Sequence, residues 1–175
     1  MTRSDDFGVE LNHFSLARLL DETLLHLAVL QQNASMGPMH AWRARCVALM
    51  QEVDEDLMAL PLTPEQAMKL RLSHALLLDE ATLASCEYSA RQAWQDAPLC
   101  VVELKQPDAE AAVLADVASL SAHRGGAAAW RYWYLRLLGA GLMRHRADAA
   151  RYRRRLDEGL RQMWLSTLDE ASDCE

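Results

Sequence analysis

The sequence predicts an all-α fold: a compact bundle of six to seven helices in one domain. Three observations carry this expectation. The chain is rich in Ala, Leu, Arg, Glu and Gln, the strong helix formers. It holds only seven Gly and five Pro in 175 residues to interrupt them. Its apolar positions recur at spacings of three and four, and no stretch alternates in the two-residue period of a strand.

The first helix is expected from about Asn12 to Gln32, with Leu16, Leu19, Leu20, Thr23, Leu24, Leu27 and Leu30 on one stripe. Residues 33–38 break it, and Pro38 suits the start of the second helix, whose buried face reads Trp42, Cys46, Leu49, Met50, Val53 and Leu57. Leu60 to Pro64 ends that helix. Thr63 can then cap the third, with Pro64 at the first helical position and Gln66 completing a capping box.

This third helix, to about Ser85, differs in kind. Ala67, Leu70, His74, Leu77, Leu78 and Ala81 form one apolar face, and Met68, Leu72, Ala75, Leu76 and Leu83 form another. A helix apolar on both sides belongs at the centre of a fold. Beyond it, Tyr88 to Gln95 reads as a short helix around Trp94, and Pro98 to Gln106 as a connection. Pro107 opens a helix through Val113, Val117 and Leu120. Gly125-Gly126 precedes one with Trp130, Trp133, Tyr134, Leu137 and Leu138, and Asp148 caps a last one with Tyr152, Leu156, Leu160, Met163 and Trp164. Residues 1–10 read as a flexible tail, 11–165 as the helical domain, and 166–175 as an acidic tail that frays.

Composition excludes several classes. At 51% hydrophobic and 25% charged residues the chain has the profile of a packed globule rather than a disordered one. The formal charge of −7 is uneven: residues 131–161 carry nine Arg against Asp148, Asp157 and Glu158. An acidic body with one basic segment lacks the dominant positive field that nucleic-acid binding needs. The Arg-rich stretch itself reads either as a solvated helix face or as a contact for an acidic partner or anionic membrane surface. No secretory leader is legible near Met1, and no segment reads as spanning: the most apolar candidate, Ala127 to Met143, contains Arg131 and Arg136.

Chemistry-bearing motifs are missing. No phosphate-binding glycine loop, nucleophile elbow or H-E-x-x-H occurs. Cys46, Cys86, Cys100 and Cys174 include no C-x-x-C pair and read as reduced thiols. Glu10 and His13 have the Glu-x-x-His spacing of di-iron bundles, but such a site needs two copies and two further Glu. His74, within an apolar face, reads as a hydrogen-bonded core histidine. We expect no catalytic residue, no cofactor and no metal.

One feature stands out on the central helix, the acidic pair Asp79-Glu80. Leu76, Leu77, Leu83 and Ala84 surround it within one turn. Two carboxylates there must reach a cleft, pair with Arg or meet a partner; the alternative is an internal ion pair or a cap to a neighbouring helix. An enzyme using them as acid and base is disfavoured, because adjacent helical positions point ~100° apart.

The segments around this helix resemble the DotU/TssL family of bacterial type VI secretion proteins. The matching stretches are Leu62-Thr63-Pro64-Glu65-Gln66, Leu77-Leu78-Asp79-Glu80-Ala81-Thr82-Leu83, the position of Trp94, Tyr132 to Gly139 and Tyr152 to Met163. In order and spacing the likeness runs from about Leu16 to Met163. It departs from the family pattern at Ala84 to Tyr88, at Val101 to Ala112 and at Gly139 to Arg144. The resemblance implies two small three-helix bundles forming a hook with a cleft, facing the cytoplasm at the inner membrane. It implies a non-catalytic scaffold linking the inner-membrane complex to the cytoplasmic baseplate, with the large inner-membrane subunit and baseplate components as partners and self-association possible. It passes a partner-binding role to Asp79 and Glu80. The family usually continues into a membrane-spanning helix, which this sequence does not contain. The competing expectation is a soluble helical regulator or chaperone-like binding module with no membrane role.

Overall fold

A computed structural model describes residues 20–31, 36–109, 111–113 and 115, together with Arg18, Arg154, Asp157, Glu158 and Arg161. Five helices are defined: α1 (Asp21–Gln31), α2 (Met39–Met58), α3 (Pro64–Ser85), α4 (Tyr88–Gln95) and α5 (Leu99–Val102). Among the described residues there is no strand. Residues 109, 111–113 and 115, after Pro107, are helical too, as are Arg154, Asp157, Glu158 and Arg161. The expected helices through Trp130 and Trp133, the remainder of the last one, the Glu10–His13 pair and both tails lie outside the described residues.

The second helix buries Trp42, Cys46, Leu49, Met50, Val53 and Leu57, the six positions that its spacing selects. It packs along α3 through the short Ala59–Thr63 turn, so the two run antiparallel. Polar contacts fix their register at both ends. Near the open end the Trp42 indole donates to Thr82 Oγ1 at 2.8 Å, and Thr82 in turn donates to the Leu78 carbonyl at 2.7 Å. Near the turn Arg71 Nη2 donates to Asp54 at 2.6 Å.

The start of α3 is the capping box that its sequence spells. Gln66 N donates to Thr63 Oγ1 at 3.2 Å, and Thr63 N donates back to Gln66 Oε1 at 2.9 Å. With Pro64 at the first position, no donor is wasted there. From Leu72 to Asp79 every residue is buried, so α3 is the central helix, with α1, α2, α4 and α5 all packed against it. Full burial of one Leu side chain is worth ~1.5–3 kcal/mol, and Leu70, Leu72, Leu76, Leu77 and Leu78 are all buried.

Two expectations change. In α1, Leu20, Thr23, Leu27 and Leu30 are buried, but Leu24 is 45% exposed, with Leu25 and Val29 beside it at 59% and 48%. The buried stripe centres on Thr23, Leu27 and Leu30, and Leu24 falls about 100° from Thr23 onto the outer side. The second change is at Pro98 to Gln106, which is not a plain connection. Its first residues form the single turn α5, held by a side chain twenty positions earlier in the chain.

Candidate interaction site on the central helix

That side chain is Asp79. It is 5% exposed and turns inward from α3 toward α4 and α5. Its Oδ1 accepts from the Trp94 indole at 2.8 Å and from Leu99 N at 2.9 Å, and its Oδ2 accepts from Cys100 N at 3.2 Å. Of the alternatives open to the sequence, Asp79 thus takes the internal cap. Its partners are three neutral N–H donors rather than an Arg. The short helix α5 has no side-chain cap of its own at Pro98, and the Asp79 carboxylate fills that place from a different helix.

Burial pushes the Asp79 carboxyl above its ordinary value, and the hydrogen bonds from Leu99, Cys100 and Trp94 pull it back. The same charge reaches two thiols. Cys46 is pushed up to about 12, chiefly by burial and then by Asp79. Cys100 is also pushed up to about 12, by burial, then by the Asp79 charge and by a hydrogen bond with its carboxylate. Both remain protonated near neutral pH, which suits packing and not nucleophilic or metal chemistry.

Trp94 is 1% exposed and is gripped from two sides. Its N–H serves Asp79, and the Arg43 guanidinium of α2 lies 4.2 Å from its ring centroid. Arg43 also donates to the Ala97 carbonyl at 2.6 Å, closing the turn between α4 and α5. A cation over an indole is worth ~0.5–2 kcal/mol depending on desolvation. Sequence reasoning missed Arg43, because nothing in local spacing links position 43 to positions 94 and 97.

Glu80, the next residue, is half-buried and points ~100° around the helix from Asp79. The acidic pair is therefore divided, with Asp79 in the interior and Glu80 half-buried. His74 is 1% exposed and shares a 2.8 Å hydrogen bond with Thr23 Oγ1, tying α1 to α3. Burial lowers its pKa to about 4, so it is a neutral core histidine, as its apolar setting suggests.

No group of three or more His, Cys, Asp or Glu among the described residues could hold a metal ion. No helix among them is long and apolar enough to cross a membrane. The described polar interior joins helix to helix: Asp79 to α4 and α5, Thr82 to α2, His74 to α1. Among the described residues, such an arrangement defines an all-helical structural framework.

Comparison with known proteins agrees with that class. The sequence matches the family described as type VI secretion system protein DotU over residues 15–170, and the chain belongs to this family. It is thus a component of the type VI secretion system, in a family of structural subunits rather than enzymes. No curated protein and no solved structure matches the chain.

Proposed function

We propose that this protein is a non-catalytic scaffold at the cytoplasmic face of the bacterial inner membrane, linking the inner-membrane complex of the secretion system to its cytoplasmic baseplate. Asp79 and Glu80 form its partner-binding site with separate tasks. Glu80 meets the partner, and Asp79 holds the helices behind it in place. The observation that supports this division is the difference in burial of the two residues, which point ~100° apart on the helix. Asp79 is 5% exposed, with its carboxylate inside the fold among three donors, and Glu80 is half-buried, within reach of the surface. A carboxylate at an interface margin both steers a basic partner and selects against acidic ones.

The test is co-purification of the large inner-membrane subunit and baseplate components with Glu80→Gln and Glu80→Lys variants of the full-length protein. The control is Asp157→Asn with Glu158→Gln, both positions being exposed. Loss of co-purification with Glu80→Lys at unchanged melting temperature supports the reading. Undiminished recovery of every subunit contradicts it, and recovery of none even with the unaltered protein favours a regulator outside the complex.

A further inference from the structure

We draw no further inference here: the strongest candidate, the outward apolar face of helix α1 formed by Leu24, Leu25 and Val29, carries none, because nothing in the structure shows what covers it.

Discussion

Replacing Asp79 with Ala removes the acceptor shared by three helices. It strands the Trp94 indole and the amides of Leu99 and Cys100, whose residues are 1%, 0% and 7% exposed, so water cannot readily replace the carboxylate. Each buried donor left unsatisfied costs ~1–3 kcal/mol. Relief of the buried charge, visible in the raised pKa of Asp79, offsets part of this. The expected net loss is about 3–5 kcal/mol, in the range for breaking a buried charged network. At ~2–4 °C per kcal/mol for a chain of this size, the melting temperature should fall by ~10 °C or more. Asp79→Asn keeps one carbonyl oxygen for Trp94 and Leu99 and discards the charge, and should cost only ~1–2 kcal/mol. Urea denaturation followed by tryptophan fluorescence gives the free energies, and alkylation of Cys100 reports whether α5 has loosened. A loss below ~1 kcal/mol for Asp79→Ala, or equal losses for Ala and Asn, would refute the capping role.

Other consequences are independent of that one. His74 is neutral when folded, with a pKa of about 4 against 6.5 in the unfolded chain. Below pH ~6.5 the unfolded state therefore takes up the proton first, and stability falls until about pH 4, on the order of 3 kcal/mol in all. Asp79 acts with the opposite sign, since its raised pKa makes the folded state the better proton binder in acid; comparison with His74→Gln at each pH isolates the histidine, and an equally steep acid limb in that variant would exclude it as the cause. Thr82→Val should cost ~1–3 kcal/mol by stranding the Trp42 indole, measured as a shift in the urea midpoint. Thr63→Ala should cost ~1 kcal/mol through the lost capping box, and Thr63→Asn should restore most of it.

What was legible in the sequence was local. The Thr63–Gln66 cap, the six buried positions of α2 and the two-sided apolar character of α3 follow from spacing within one helix, and each is found in the structure. His74 also read correctly, because an imidazole amid Leu and Ala has few alternatives to a hydrogen-bonded core position. What spacing does not encode is contact between distant segments. Helix α5 is four residues long, too short for any periodicity, and it exists where Asp79 supplies acceptors twenty positions away. The division of Asp79-Glu80 is of the same kind. The apolar surroundings marked the pair, but only the position of Trp94, Leu99 and Cys100 decides which carboxylate is internal. Arg43 was invisible for the same reason, and Leu24 was misplaced because a stripe read from spacing alone does not fix where its edge lies.

The central claim is that Glu80 meets the partner while Asp79 holds the scaffold behind it. Its most direct measurement is co-purification of the other secretion-system subunits with two single variants, each first shown to be folded by thermal denaturation. Under the proposed division of tasks, Asp79→Asn retains the partners and Glu80→Lys loses them. The reverse pattern, with Asp79→Asn folded but partnerless and Glu80→Lys fully bound, would contradict it.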